Sequence, residues 1–278
     1  MQQRPPERIP FVQAAAPLLQ TGTFGRSIRG YSAVPSTNTY AAVWAGEGAP
    51  EGSVVFAELQ TTGRGRLGRS WTADPGRNLT FSVILRPPLA PDHLGLITVA
   101  AAVAVADTVE GFAAPARVEI KWPNDILLNG RKCCGMLLES NLSMPSDSGR
   151  PVILGIGLNV NQDTFPDELS ERATSLLLET GRMVDRPALF AALLLALETR
   201  YRLLCTGGAE PVRAAFTARL AHHEQRVTYR LSESTGRIQG TVTGIDDTGA
   251  LLLRTRDGLR AFHAGEITTQ LPDVRSPE

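Results

Sequence analysis

The chain has 278 residues, 42% hydrophobic and 20% charged, an ordinary soluble globular composition whose length allows one large domain, alone or with a small one attached. Its 28 basic and 28 acidic residues cancel, so no global field draws it to nucleic acid or an anionic membrane, and any bound anion must be held by a local cluster. Cys133, Cys134 and Cys205 cannot form a disulfide framework, and the segment Met1 to Pro10 has no apolar signal core, which predicts a reduced, cytoplasmic setting.

Residues 1–25 read as a loose arm with a short helical stretch from Val12 to Leu19. Ser36 is a candidate N-cap for a helix over Thr39–Ala45. Ser53 to Leu59 and Asn78 to Leu85 are apolar, β-rich runs and read as strands, the second ended by Pro87-Pro88. Leu94 to Phe112 reads as a helix with Asp92 as N-cap; its apolar part, Leu94 to Ala106, is too short and Ala-rich to span a bilayer. Arg117 to Lys121 alternates and reads as a strand. Asn129-Gly130 between two apolar runs predicts a hairpin, because both central turn positions require positive φ. Pro151 to Val160 reads as a buried strand; Pro187 to Cys205 is a helix with Gly207 after its end, and Glu210 to Ala221 another. After about His223 the pattern changes to short β-like runs at 226–231, 237–245, 250–256 and 259–263, separated by turn signals at Ser234–Gly236, Asp246–Gly249 and Asp257-Gly258. The organisation is therefore an arm (1–25), a mixed α+β domain (26–223) and a small β-barrel domain (224–278).

Four segments carry chemistry. In Gly63-Arg64-Gly65-Arg66-Leu67-Gly68-Arg69, glycines let the backbone approach a ligand and guanidinium groups offer bidentate contacts to phosphate or carboxylate. Trp71 adds a flat face on which a purine could stack. Residues 63–68 also match G-x-G-x-x-G, but a turn and a strand follow where the dinucleotide fold needs a helix, and no acid stands about twenty positions on. No Gly-Lys pair exists, so a Walker-type loop is excluded. A solvated Arg-rich loop and a single-strand nucleic-acid loop remain as alternatives; the zero net charge and few aromatics argue against the latter. In Lys121-Trp122-Pro123-Asn124-Asp125 a strand ends at Lys121, which either faces a pocket or is the exposed lysine of a plain strand-turn; Pro123 ends the ladder, and Asn124 and Asp125 favour a turn by bonding their own backbone. Ser36-Thr37-Asn38 could ring a ligand with hydroxyl and amide groups. In Gly155-Ile156-Gly157-Leu158-Asn159-Val160-Asn161 the glycines mark a close approach to the strand, and Asn159 and Asn161 share a face. Of the 28 basic residues only Lys121 and Lys132 are lysine, both in one twelve-residue stretch; this points to a need for a compact ammonium there, or to chance in an Arg-biased chain. The four histidines are not spaced as metal ligands.

In this order, Ser36-Thr37-Asn38, the loop at 63–69, K-W-P-N-D at 121–125 and G-x-G-x-N at 155–159 resemble the biotin–protein ligase family, as do Ala173-Thr174-Ser175-Leu176 and Gly265-Glu266-Ile267. The resemblance covers roughly residues 30–270. It implies an α+β catalytic domain with the mixed sheet of class II synthetases and lipoate ligases, followed by a small SH3-like barrel. It implies ATP and biotin as substrates with Mg²⁺, a biotinoyl-AMP intermediate, and transfer to one lysine of the biotin carrier protein of a carboxylase. It assigns Ser36, Thr37, Asn38, Gln60, Arg64, Gly65, Arg66 and Lys121 to biotin, with Arg64, Arg66 and Lys121 catalytic. Arg69, Trp71, Lys132, Asn159 and Glu266 fall on the ATP side; the metal ligands stay unassigned. The chain departs from the family pattern at Pro35, where an Asp is frequent, at Thr61-Thr62 and at Cys133-Cys134. About 30 residues before Ser36 leave no room for the DNA-binding domain of some members, so a monofunctional enzyme without operator binding or membrane contact is expected, and a homodimer stands as a family analogy. The rivals are a lipoate or octanoate ligase on the same fold, disfavoured by the K-W-P-N-D run and the G-R-G-R loop, and a non-catalytic phosphate- or RNA-binding protein.

Overall fold

A computed structural model describes residues 4–140, 150–231 and 236–268. Strands β1 (Ile28–Val34), β2 (Val54–Gln60), β3 (Leu79–Leu85), β4 (Val118–Lys121), β5 (Asp125–Leu128), β6 (Arg131–Ser140) and β7 (Val152–Leu158) form one sheet in the order β1-β2-β3-β7-β6-β5-β4. β1 and β2 are parallel and the other neighbours antiparallel, so the sheet is mixed. The helices are α1 (Pro10–Ala15), α2 (Thr37–Gly46), α3 (Gly95–Ala113), α4 (Asp167–Ser170), α5 (Leu176–Thr180), α6 (Arg186–Gly207) and α7 (Glu210–Ala218).

The two-residue period of a strand divides the sheet into a core face and a site face. Val54 and Phe56, then Leu79, Phe81, Val83 and Leu85, then Val152, Leu154, Ile156 and Leu158 enter the main core under α3 and α6. The intervening Val55, Ala57, Ile84 and Ile153 face the other way and pack with Tyr40 and Trp44 of α2. On this second face the register aligns Ser82, Gly155 and Leu137 in one row and Thr80, Gly157 and Gly135 in the next. Small and polar side chains here leave a shallow floor.

Several elements differ from the sequence reading. The N-terminal arm is not loose: Phe11 stacks on Phe56 at 4.1 Å, and Glu7 N–H donates to the Gly30 carbonyl at 2.8 Å. The buried Glu198 carboxylate accepts from the N–H groups of Gly22 and Thr23 at 3.0 and 3.1 Å and from that of Phe24 at 3.3 Å, tying down the end of the arm. Asp92 does not cap α3; it lies in the 3₁₀ turn Pro91–His93, its carboxylate 2.8 Å from His93 Nδ1. By length and composition α3 could cross a membrane, yet it is the central core helix, with 13 buried residues from Leu96 to Ala113. Asp185 caps α6 by accepting from the Ala188 N–H, and Gly207 is its last residue rather than the one beyond its end. α7 stops at Ala218 instead of running to Ala221. The hairpin is as expected, with φ of 47° at Asn129 and 82° at Gly130.

Strands β8 (Arg226–Arg230), β9 (Ile238–Ile245), β10 (Leu251–Thr255), β11 (Gly258–Phe262) and β12 (Glu266–Thr268) form the second sheet, antiparallel in the order β11-β10-β9-β8-β12. This is the small β domain expected to be SH3-like. Of the turn expected at Ser234–Gly236, residues 234–235 lie outside the described residues. The two sheets meet near the K-W-P-N-D turn, where the Trp122 indole N–H donates to the Gly249 carbonyl at 3.0 Å.

Candidate active site

The floor is a closed polar network. Ser36 precedes α2 in an extended conformation, but its side chain makes no capping bond, so the helix start is met by geometry alone. Thr37 donates from both N–H and Oγ1 to Gln60 Oε1, at 2.7 and 3.0 Å. Ser82 Oγ lies 2.7 Å from Thr37 Oγ1 and 2.6 Å from Asn38 Oδ1. The Asn38 amide donates to Glu139 Oε2 at 2.7 Å and to the Leu137 carbonyl at 3.3 Å. Asn38 sits directly on Gly155, where a Cβ would collide with its amide oxygen. Gly157 likewise has no room for a Cβ beneath the Trp71 ring. The close approach that the two glycines predicted is made by these two side chains.

The arginine loop closes on itself. Trp71 N–H donates to the Gly63 carbonyl at 2.9 Å and Gly65 N–H to the Arg69 carbonyl at 2.6 Å, with the reversal at Leu67 (φ 56°) and Gly68 (φ 75°). The Gly65 amide is thus committed within the loop. Arg64 Nη2 donates to Thr39 Oγ1 at 3.3 Å and to Glu139 Oε2 at 3.0 Å. Arg66 Nη1 donates to Asn124 Oδ1 at 3.3 Å. Burial pulls the Arg66 guanidinium below its usual pKa, against the opposing charges of Asp125 and Glu266. It remains a cation, but one partly stripped of water, and gains more from an incoming anion than an exposed arginine would. Arg69 pairs with Glu266 of β12 at 2.5 Å, joining the loop to the small domain.

Behind the loop, Lys132 Nζ pairs with Asp125 at 2.7 Å and stands 5.9 Å from the Trp71 ring centroid. The indole N–H of Trp71 is buried and has no hydrogen-bond partner among the described residues. Lys121 ends β4 in register with Asp125, and its ammonium has no hydrogen bond or ion pair among the described residues. Asn124 does not bond its own turn backbone; its amide donates to the Met136 carbonyl at 2.6 Å. Asp125 is likewise the first residue of β5 rather than a turn residue. Asn159 and Asn161 lie beyond the end of β7, so they do not share a strand face; their amides donate to the carbonyls of Thr174 at 3.0 Å and Val184 at 2.9 Å. Asn159 therefore supports the hairpin from beneath rather than opening into the cleft. Glu179 clamps the same region, accepting from Thr174 Oγ1, Asn129 and Arg131 at 2.6 to 2.7 Å. Burial alone would raise its carboxyl pKa, but these hydrogen bonds and the Arg131 charge hold it below the ordinary value. Cys133 and Cys134 are fully buried, and burial pushes both thiols well up in pKa, which leaves them inert.

A cleft of about 740 Å³ opens beside the loop. Arg64, Arg66, Arg69, Asn124 and Glu139 line one side, and Thr248–Ala250 with His263 of the small domain line the other. Ser36, Thr37, Asn38 and Gln60 are under it, Glu139 and Arg64 forming the link. Among the residues that the sequence reading missed, Ser82 and Glu139 connect the floor to the loop. A serine within the apolar run Leu79–Leu85 was the available signal for the first; nothing local marked the second.

A mixed sheet with a polar floor, an arginine loop over it and a β domain on the far side form a cation-lined cleft of the kind that suits anionic ligands. Residues 30–159 match the Biotin/lipoate A/B protein ligase family and residues 222–268 the Biotin protein ligase C terminal domain. The chain is 39% identical to the bifunctional ligase/repressor BirA of Bacillus spizizenii, over 90% of this chain and 76% of that protein. It is 35% identical to the biotin--[acetyl-CoA-carboxylase] ligase of Mycobacterium tuberculosis, over 90% of this chain and 91% of that one. Among solved structures, the biotin protein ligase of Aquifex aeolicus in complex with biotin and ATP aligns with a TM-score of 0.75 at 28% identity, covering 87% of this chain and 98% of that one. The chain belongs to the biotin–protein ligase family.

Proposed function

We infer that the chain activates biotin with ATP and transfers it to a lysine of a biotin carrier domain, within the cleft between the arginine loop and the sheet. The biotin carboxylate attacks the α-phosphorus and pyrophosphate leaves. The lysine ε-amine then attacks the acyl carbon, loses a proton, and AMP departs. The first step brings two anions together, so its barrier is set by the positive charge present before they meet. The carrying observation is the state of the cations that line the cleft: Arg66 is partly desolvated, and Arg64 keeps Nε and Nη1 without a partner among the described residues.

In this reading Ser36, Thr37, Asn38 and Gln60 bind biotin, with Arg64, Arg66 and Lys121 at its carboxylate, and Gly65, its N–H held by the Arg69 carbonyl, lets the loop backbone pass close to it. Arg69, Trp71, Lys132 and Glu266 serve the nucleotide, and Asn159 acts by supporting the hairpin that carries Lys132. Among the described residues no group of three metal-ligating side chains exists. The nearby carboxylates Asp125, Glu139 and Glu266 are each paired with a cation. That fits Mg²⁺ arriving with ATP, since Mg²⁺ keeps several waters and takes phosphate oxygens. It would supply charge neutralisation on the phosphates. The acceptor is the carrier protein of a biotin-dependent carboxylase.

ATP–pyrophosphate exchange with biotin or with lipoate is the test. Biotin-dependent exchange is expected; exchange with lipoate alone, or with neither, overturns the reading.

A further inference from the structure

We propose that Glu139 is a positioning residue that couples the arginine loop to the Ser-Thr-Asn segment, so that pocket and loop are set together for the acid substrate; this rests on the ligase reading above. An acidic side chain in a site built for anions works against substrate charge, and its presence needs a reason. Glu139 lies on the site face of β6, two residues beyond Leu137 and opposite Ile153 of β7. One oxygen, Oε2, accepts both from Asn38 Nδ2 at 2.7 Å and from Arg64 Nη2 at 3.0 Å. Asn38 is in turn fixed by Ser82, so a continuous path runs Ser82–Asn38–Glu139–Arg64 from the buried sheet to the loop.

What Arg64 spends on this contact matters. Only Nη2 is used, on Thr39 and Glu139, and Nε and Nη1 have no partner among the described residues. A guanidinium held by one nitrogen keeps its other donors for a carboxylate or phosphate. Glu139 therefore orients Arg64 without consuming it. The pair is half-exposed, 49% for Arg64 and 38% for Glu139, and so gives orientation more than stability.

The expected signature is a change in biotin KM rather than in turnover. Glu139→Ala should raise the KM for biotin in ATP–pyrophosphate exchange by roughly tenfold, with kcat within about twofold. Glu139→Gln keeps an acceptor for Asn38 but loses the charge, and should raise KM by only about threefold. The decisive measurement is the double-mutant cycle with Arg64→Ala: in that background Glu139→Ala should add only the roughly threefold that belongs to the Asn38 contact, and Glu139→Gln almost nothing. A full additional effect, an unchanged KM in both single variants, or a loss confined to kcat overturns the proposal. Should Glu139→Ala fail to fold, the same cycle with Glu139→Gln decides it. Failure of the ligase reading looks different, because the unaltered protein would then show no biotin-dependent exchange.

Discussion

The floor of the site and the loop above it are built on opposite principles. Thr37 and Asn38, at the start of α2, and Ser82, on β3, are buried, with polar atoms satisfied by one another and by Gln60 and Glu139. The loop at 63–71 has Leu67 60% exposed at its tip and is held by its own hairpin bonds, by side-chain contacts of Arg64, Arg66 and Arg69, and by the Trp71 ring seated on Gly157. The floor recognises shape with little reorganisation. The loop supplies charge and can exchange its protein partners for ligand ones, as a lid over a hydrolysable acyl-adenylate requires.

If that division is correct, substitutions in the loop should cost activity and substitutions in the floor should cost stability as well. The largest effect is expected at Arg66. Arg66→Ala should lower biotin-dependent ATP–pyrophosphate exchange by roughly a hundredfold or more, the scale of removing one preorganised group that stabilises charge. Its urea midpoint should stay close to that of the unaltered protein; a large fall in midpoint would make Arg66 part of the floor. Next is Gly157→Val, which places a side chain where the Trp71 ring lies. Overpacking of this kind costs about 1–3 kcal/mol. Displaced Trp71 should shift the tryptophan fluorescence and raise the KM for ATP more than that for biotin. An unshifted spectrum would mean that Trp71 is not seated on β7 in solution. Ser82→Ala comes third: it removes the hydroxyl between Thr37 and Asn38, leaving buried polar atoms short of a partner at about 1–2 kcal/mol. Both the urea midpoint and the biotin KM should move, and movement of only one would separate folding from recognition at this position.

The same contrast governs what was legible in the sequence. The loop was visible because its chemistry is local: seven consecutive residues carry the arginines and glycines. Its literal glycine pattern matches the dinucleotide fold, and the turn and strand that follow, with no acid about twenty positions on, corrected it. Gly155 and Gly157 announced a close approach, but not that Asn38 and Trp71 make it, because those partners are about 117 and 86 positions away along the chain. Glu139 was invisible for the same reason, its role existing only once β6 lies beside β7 and over Asn38. β1 escaped notice because its run is broken by Arg29, Gly30 and Ser32, and the sheet pairing that makes it a strand is with residues 54–60. The arm seemed loose because its prolines and polar residues hide Phe11, whose partners are Phe56 and Phe190. Asn159 was assigned from its motif to the ligand side, whereas the chain turn after β7 points its amide at Thr174.

The smallest expected effect lies where the loop meets the small domain. Arg69 and Glu266 are 65% and 44% exposed, and an exposed ion pair contributes at most about 1 kcal/mol. Glu266→Gln should therefore leave the urea midpoint nearly unchanged. It should slow exchange by no more than about fivefold at low salt, since 1 kcal/mol corresponds to about that factor. Salt screens exposed charges, so the difference between variant and unaltered protein should shrink as ionic strength approaches 1 M, where the screening length is about 3 Å. A deficit that persists at high salt would mean that Glu266 acts on a bound ligand, with the pair to Arg69 as its resting state. The small domain would then belong with the floor as a fixed part of the site, rather than with the loop as an exchangeable contact.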